Sequence, residues 1–211
     1  MSDWTLECLT VGPLQMNSWL LVDHESREAV LVDPGDEPGR LCQRIEALGC
    51  RLRWLLATHG HFDHVGGAAA VQARHDVPLR LHPADRFLVE SMPEQQALYG
   101  LPVTRVPRIA ADLADGDEIP LGRGHLRVHE VPGHSPGQVM FVWDDHALVG
   151  DCVFAGSVGR TDLPGGDFAS LEASIREKIF ALPEHTVLHP GHGPDTTVER
   201  ERRHNPYVNE A

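Results

Sequence analysis

The chain has 211 residues, of which 41% are hydrophobic and 23% charged, a composition typical of a globular protein with one sizeable core. Its 18 basic and 31 acidic residues give a formal net charge of −13. This acidity argues against a nucleic-acid groove, because phosphate binding needs clustered lysine and arginine. The sequence contains neither a membrane-spanning apolar run nor a signal peptide at its start, so we expect a cytoplasmic protein with a single domain, 1–211.

The first part of the chain predicts short strands followed by helices. Runs typical of strands, separated by turn-forming residues, lie at 4–9, 18–22, 29–32 and 53–57. Residues 38–48 form a predicted helix, because a proline opens the segment and its apolar residues recur at helical spacing. A second helix is expected from Val65 to about His75, with Asp63 near its N-cap position, and a short strand at 77–81 follows it.

The segment 82–117 is the least regular part of the sequence. Residues 84–91 have helical character, and Met92-Pro93 is expected to break that helix. Further prolines indicate a loop, so the segment is interpreted either as a lid or as a surface excursion.

Strands return in the last half of the chain. They are predicted at 126–131, 139–143, 147–150 and 186–189. A helix is expected over 171–182, capped by Ser170 or Asp167, and a short one over 198–204, capped by Thr197. Two runs of strands, each followed by helices, suggest two sheets packed face to face with helices outside.

A cluster of potential metal ligands follows the strand at 53–57 directly. His59 and His61 are two residues apart, so an extended chain directs both side chains to one target. A turn at the start of the next helix would bring Asp63 and His64 to a second target beside the first. Imidazole and carboxylate bind zinc, iron or manganese. The alternative, a solvated histidine-rich loop, explains the strand context less well.

Three further candidate ligands lie in glycine- and proline-containing turns that follow predicted strands. They are His134, Asp151 and His192. Each signal is weak alone, because such turns are more often structural. Together with the first cluster they place ligand-type side chains at four strand ends, which is the arrangement that catalytic sites favour.

The full set of seven residues resembles the metallo-β-lactamase-fold hydrolases, and within them the short glyoxalase II-like (hydroxyacylglutathione hydrolase) enzymes without a C-terminal helical domain. The resemblance implies an α/β fold, an αββα sandwich of two mixed β-sheets with helices on the outer faces. It also implies two divalent metal ions, with zinc expected and iron or manganese as alternatives. By the same resemblance, one ion is held by His59, His61 and His134 and the other by Asp63, His64 and His192, with Asp151 bridging both.

The chemistry implied by the resemblance is thioester hydrolysis. A metal-bridging hydroxide would attack S-lactoylglutathione or a related acylated thiol, with Asp63 and Asp151 as the catalytic carboxylates. Arg160, in a glycine-rich tract, would bind the carboxylate of glutathione. Asp162 stands where that family has an aromatic residue, and this difference weakens the expectation that the chain recognises glutathione as that family does.

Three other functions remain alternatives. The first is an iron-dependent persulfide dioxygenase, which shares the Gly-Arg-Thr-Asp tract at 159–162 but uses one ion, whereas the intact His192 favours two. The second is a metal-dependent nuclease of the same fold, which the acidic charge disfavours. The third is a structural zinc protein, disfavoured because structural sites are usually rich in thiolates. The sequence gives no indication of oligomeric state.

Overall fold

Two six-stranded sheets form the centre of the computed structural model, which describes residues 4–209. The first sheet has the strand order β1-β2-β3-β4-β5-β6. Its strands are β1 (Trp4–Val11), β2 (Met16–Asp23), β3 (Glu28–Val32), β4 (Arg51–Leu56), β5 (Leu79–Leu81) and β6 (Ile109–Ala111). The first three strands pair antiparallel and the last three continue in parallel, so the sheet is mixed.

The second sheet is built from the later part of the chain and is also mixed. Its strands are β7 (Glu118–Leu121), β8 (Gly124–Glu130), β9 (Val139–Trp143), β10 (His146–Gly150), β13 (Val187–Pro190) and β14 (Thr196–Thr197). They follow the order β14-β13-β10-β9-β8-β7, with one parallel pairing, between β10 and β13. A small hairpin, β11 (Val153–Phe154) with β12 (Ser157–Val158), lies between β10 and β13 in sequence.

Helices cover the outer faces of both sheets. They are α1 (Pro38–Ala47), α2 (Phe62–Val65), α3 (Ala68–His75), α4 (Arg86–Glu90), α5 (Met92–Leu98), α6 (Phe168–Ser174) and α7 (Val198–His204). A 3-10 turn, Pro83–Asp85, precedes α4, and a π-helical turn, Ile175–Ile179, extends α6. Between residues 4 and 209, none of these helices combines the length and apolar composition needed to cross a bilayer.

Successive residues of the strands face different apolar layers, because side chains alternate across a sheet. Leu20 in β2 packs in the cluster that contains Ile45 of α1, while its neighbour Leu21 packs between the sheets with Phe141 of β9. On the far side of the second sheet, Met140 belongs to the cluster that helix α6 covers. The architecture is the predicted αββα sandwich.

The predicted helix from Val65 to His75 is wrong in its start. The chain forms two short helices there, α2 and α3, and Asp63 lies inside the first turn of α2, whose N-cap is His61. Gly66 and Gly67 separate them where the backbone passes close to the carbonyls of residues 34 and 35. A side chain at either glycine would collide with those carbonyl oxygens.

The segment 82–117 is more ordered than the sequence indicates. Pro93 does not end helical structure, because it lies in the first turn of α5, where the missing N–H is not needed. Strands β6 and β7 were not predicted.

The C-terminal helices correspond more closely to their predictions. Asp167 caps α6 by accepting a hydrogen bond from the backbone N–H of Ser170, and Thr197 caps α7 as predicted. The predicted helix 171–182 in fact begins at Phe168 and ends at Ile179. The structure does not describe residues 1–3 or 210–211. The expectation that the start of the chain lacks a signal peptide and the outer bounds of the predicted domain therefore fall partly outside the described residues.

Candidate metal centre

The candidate ligands follow four strands of the two sheets. His59 to His64 follow β4, His134 follows β8, Asp151 follows β10 and His192 follows β13. The sequence therefore predicted their positions in the fold correctly. Six of the seven side chains form two groups, each with its ligand atoms within 4.8 Å of one another, and the seventh, Asp151, lies close to both. Asp151 also forms an overlapping group of the same kind with His59 and His64.

The first group, here called the three-histidine group, consists of His59, His61 and His134. All three are buried, and their rings meet edge to face with centroids 4.6–4.8 Å apart. His61 Nδ1 lies 2.9 Å from His134 Nε2. Two separate loops therefore direct imidazole nitrogens to one small volume.

The second group, here called the mixed group, consists of Asp63, His64 and His192. Asp63 Oδ2 lies 3.2 Å from His192 Nε2 and 3.9 Å from His64 Nε2. His64 is fully buried, whereas the side chains of Asp63 and His192 remain partly exposed. The mixed group is thus the half of the cluster nearer to solvent.

Asp151 lies between the two groups. Its Oδ1 is 3.4 Å from His64 Nε2, and its Oδ2 is 3.8 Å from His134 Nε2 and 3.7 Å from His192 Nε2. Gly191 permits this approach, because a side chain there would collide with the Asp151 carboxylate and the His64 ring. One carboxylate thus reaches side chains of both groups.

Several buried atoms of the cluster have no hydrogen-bond partner within the described part of the chain. They are His59 Nε2, His61 Nε2, His64 Nε2 and Asp151 Oδ1. A buried polar atom without a partner is costly, so this concentration of four indicates a missing ligand. All four are donor atoms that divalent ions bind, and the residues present fit a metal.

The Nδ1 atoms of three of the candidate ligands, His64, His134 and His192, already have hydrogen-bond partners. His64 Nδ1 donates to Asp33 Oδ2 (3.0 Å), His134 Nδ1 to the carbonyl of Arg160 (2.7 Å) and His192 Nδ1 to the carbonyl of Leu14 (3.1 Å). Such bonds fix the orientation of a ligating imidazole and present its Nε2 to the ion.

Comparison with protein families matches residues 11–192 to the Metallo-beta-lactamase superfamily. The chain belongs to this superfamily. It is 39% identical to "Hydroxyacylglutathione hydrolase GloC" of Haemophilus influenzae, over 97% of this chain and 98% of that protein. It is also 36% identical to "Persulfide dioxygenase ETHE1, mitochondrial" of Bos taurus, over 90% of this chain and 70% of the relative.

Among solved structures, TTHA1623 in a di-iron-bound form is 40% identical to the chain and has a TM-score of 0.86, covering 96% of this chain and 100% of that one. Together with the side-chain groups, these matches establish a binuclear metal-binding site of the metallo-hydrolase superfamily. The predicted metallo-β-lactamase fold is confirmed.

Sequence reasoning missed two buried carboxylates that hold the ligand loops of this superfamily member. Asp33 accepts hydrogen bonds from the backbone and hydroxyl of Thr58 (2.7 and 2.8 Å) as well as from His64. It directly follows β3, and its φ of 54° is the left-handed conformation that aspartate tolerates better than most residues. Its position at a strand end, like that of the ligands, was the available signal.

Asp85 is the second missed carboxylate, and it lies in the irregular segment. It is fully buried and accepts hydrogen bonds from Gly60 N (2.9 Å), Gly137 N (2.6 Å) and Ser135 Oγ (2.7 Å). Burial raises the pKa of this carboxyl, while the three hydrogen bonds act in the opposite direction. Asp85 therefore joins the loop of His59 and His61 to the loop of His134.

The two groups differ in the electrostatics of their histidines. Burial lowers the pKa of His59 well below its usual value, and burial with the nearby His134 lowers the pKa of His61 to about 4. For His64, burial has the same sign, but the carboxylates of Asp151, Asp33 and Asp63 outweigh it and raise the pKa well above the usual value.

The pKa of His192 is also raised, because hydrogen bonding to Asp63 and the charge of Asp151 outweigh its partial burial. Burial opposes ionisation of both carboxyls, but the surrounding histidines dominate and lower the pKa of Asp63 and, more strongly, that of Asp151. Both carboxylates are therefore ionised and available as ligands at neutral pH.

A cavity of about 640 Å³ opens over the ligands. Its floor contains five of the seven, His61, Asp63, His134, Asp151 and His192. Its walls are mainly apolar, contributed by helices α4 and α5 and by the turn at 163–164. Arg160 lies at the wall, and its guanidinium forms two hydrogen bonds of 2.7 Å with the Asp162 carboxylate.

Proposed function

We propose that the chain hydrolyses thioesters of small thiols, with S-lactoylglutathione or a related acylated thiol as substrate. The observation that carries this proposal is the position of Asp151, within 3.4–3.8 Å of side chains from both ligand groups. A bridging carboxylate lets two cations lie close together, which is the arrangement of binuclear hydrolases. The 39% identity to a protein named hydroxyacylglutathione hydrolase supports the same substrate class.

In this proposal each group holds one ion. The three-histidine group would hold the first, the mixed group would hold the second, and Asp151 would serve both. Two divalent ions, when bound, would polarise the thioester carbonyl and lower the pKa of water. Zinc is the proposed ion, with iron and manganese as alternatives, since nitrogen and oxygen donors suit all three.

The chain's own residues would prepare the site for this chemistry. The Asp63 and Asp151 carboxylates are both held ionised by neighbouring histidines, so they would reduce the net positive charge of a site with two metal ions. The apolar walls of the cavity keep bulk water away from the reacting groups, which strengthens electrostatic interactions there. Arg160 is the proposed anchor for a substrate carboxylate, which would have to compete with Asp162 for the guanidinium.

A persulfide dioxygenase is the second candidate. The 36% identity to the bovine protein of that name favours it, and the three-histidine group by itself could hold a single iron. The distance of 3.2 Å between His192 Nε2 and Asp63 Oδ2 favours hydrolysis instead, because it completes a second ligand group.

Metal content and substrate turnover distinguish the two candidates. The full-length chain would be analysed for metals and then assayed for hydrolysis of S-lactoylglutathione and for oxygen uptake on glutathione persulfide. We expect two ions per chain and hydrolysis that a chelator abolishes and added metal restores. One iron per chain with oxygen uptake would replace the hydrolase by the dioxygenase.

A further inference from the structure

Exposed large apolar side chains are concentrated at the cavity over the metal centre. Between residues 4 and 209, eight such side chains are exposed, and four of them line this cavity: Leu14, Phe87, Leu98 and Tyr99. Leu98 is 85% exposed, which is ordinary for a single side chain, but four large apolar side chains around one cavity form a patch of the kind that marks a ligand-binding groove. The other four lie outside the cavity: Val103, Val106, Phe168 and Tyr207.

The shape of this surface fits a small molecule. The cavity volume of about 640 Å³ lies within the range of small-molecule sites, which are concave and mostly apolar with a few polar groups. Here the polar groups are the ligand side chains of the floor with Arg160, Ser91 and Gln95. Ser91 and Gln95 are already hydrogen-bonded to each other and to the carbonyl of Leu88, which leaves them less available to an acyl hydroxyl. Phe87, Leu98 and Leu163 stand on the walls. An apolar group attached to a thioester at the metals would contact these walls.

The same cavity has few basic side chains that could bind a negatively charged acyl group. Arg160 is the one arginine or lysine among the described residues that line it, and Asp162 already binds the guanidinium through both oxygens. The hydrogen bonds from Arg160 lower the pKa of Asp162 to about 2, so this carboxylate stays ionised across the physiological range. An incoming carboxylate would have to displace it.

We propose that the cavity selects thioesters whose acyl group is apolar, aliphatic or aromatic, in preference to the short hydroxylated acyl group of S-lactoylglutathione. This inference rests on the proposed thioester hydrolysis and narrows its substrate class. The side chains that carry the selection are Phe87, Leu98 and Tyr99. They act as specificity determinants and take no part in the chemical step.

A series of S-acylglutathiones tests the selection, because the thiol stays constant while the acyl group lengthens. For the metal-loaded full-length chain we expect kcat/KM to rise from S-acetyl through S-butanoyl to S-hexanoylglutathione. The increase should be about fourfold for each methylene that the cavity covers, the equivalent of ~0.8 kcal/mol. S-lactoylglutathione should be hydrolysed more slowly than the butanoyl compound.

Matched variants separate the cavity from general effects of removing an exposed ring. Phe87 and Phe168 are 44% and 43% exposed, and Tyr99 and Tyr207 are both 56% exposed, but only the first of each pair lines the cavity. Phe87→Ala and Tyr99→Ala should each reduce the hexanoyl-to-acetyl ratio of kcat/KM about fivefold or more. Phe168→Ala and Tyr207→Ala should leave the ratio unchanged.

Binding of non-hydrolysable S-alkylglutathiones provides a second measurement that needs no turnover. S-hexylglutathione should bind the metal-loaded chain more tightly than S-methylglutathione by calorimetry, and Phe87→Ala should reduce the ratio of the two affinities about fivefold. A flat acyl series, or equal losses in the variants of both matched pairs, overturns the inference and leaves thioester hydrolysis intact. If no thioester is hydrolysed, the proposed function fails, and the binding series alone then decides whether the cavity prefers apolar groups.

Discussion

The three-histidine group and the mixed group are candidate sites for the same kind of ligand but are built differently. The three-histidine group is buried and contains only imidazoles, whereas the mixed group includes a carboxylate and two partly exposed side chains. Burial keeps His59 and His61 neutral, so their nitrogens are free to bind an ion at neutral pH. In the mixed group the carboxylates favour protonated His64 and His192, so an ion would have to compete with protons there.

The loop after β4 carries ligands of both groups, and two carboxylates hold it at different points. Asp85 ties the two loops of the three-histidine group to each other, and Asp33 orients His64 of the mixed group. The comparison indicates that the first group is preorganised for an ion, while the second exchanges protons for one. Each prediction below tests this difference.

The largest effect is expected where the groups meet. Asp151→Ala removes the carboxylate near both, so two cations would face each other with less negative charge between them. We expect ion content to fall below one per chain and hydrolysis to fall about a thousandfold or more. The control is Asp145→Ala, which removes an exposed carboxylate paired with His185. Full metal content in Asp151→Ala would show that the carboxylate is dispensable.

His192→Ala should abolish metal binding by the mixed group alone. It removes one ligand of the mixed group and leaves the three-histidine group complete, so about one ion per chain should remain. Hydrolysis should fall about a hundredfold. Elemental analysis and steady-state kinetics measure the metal content and the rate. The control is His185→Ala, which replaces an exposed histidine paired with Asp145. Two ions in His192→Ala would be incompatible with the ligand groups described above.

Replacing Asp33 or Asp85, the two buried carboxylates that hold the ligand loops, should weaken the binding of one ion more than that of the other. Asp33→Asn should weaken the second ion, and Asp85→Asn the first, each about tenfold, because the bonds that orient the ligands are lost. Competition with a chromophoric chelator gives the two affinities separately. Equal weakening of both ions by either variant would mean that the two groups are held as one unit.

Proton release should distinguish the groups in the wild-type chain. The pKa of His61 is lowered to about 4, so this histidine is unprotonated at pH 7 and the first ion should release few protons when it binds. The pKa of His64 is raised well above its usual value, so the second ion must expel a proton from it, and the raised pKa of His192 acts in the same direction. Its affinity should therefore decrease about tenfold per released proton for each unit that the pH falls below 7. Calorimetry in buffers of different ionisation enthalpy counts these protons, and equal counts for both ions would contradict the assignment.

The smallest effect is expected at Arg160, which contributes its backbone carbonyl to His134 and its side chain to the cavity wall. Arg160→Ala keeps the carbonyl, so metal content should not change. KM for S-lactoylglutathione should rise about threefold with kcat nearly constant, because the guanidinium is exposed and already paired. Asp162→Asn should lower KM by a similar factor. A change in kcat alone would mean that the side chain supports the loop and does not bind substrate.

The sequence by itself predicted most of the strands, the apolar layers and the strand ends at which the seven candidate ligands lie. Periodicity of two and of 3.6 residues marks which faces are buried, and ligand-type residues directly after strands stand out against apolar runs. The resemblance carried by these residues gave the sandwich before any contact was known. It also implied the division into two ligand groups; the structure brings the members of each together, and a third group, His59 with His64 and Asp151, overlaps both.

Only the tertiary structure revealed Asp33 and Asp85, the occupied state of Arg160 and the apolar wall built by α4 and α5. Asp85 lies 25 residues after Gly60 in sequence and 52 before Gly137, and its role exists only because folding brings those two backbones to one carboxylate. Likewise, Leu98 and Phe87 look like ordinary surface residues until the chain places them over the ligands. Contacts between distant segments depend on packing, which local sequence patterns do not encode.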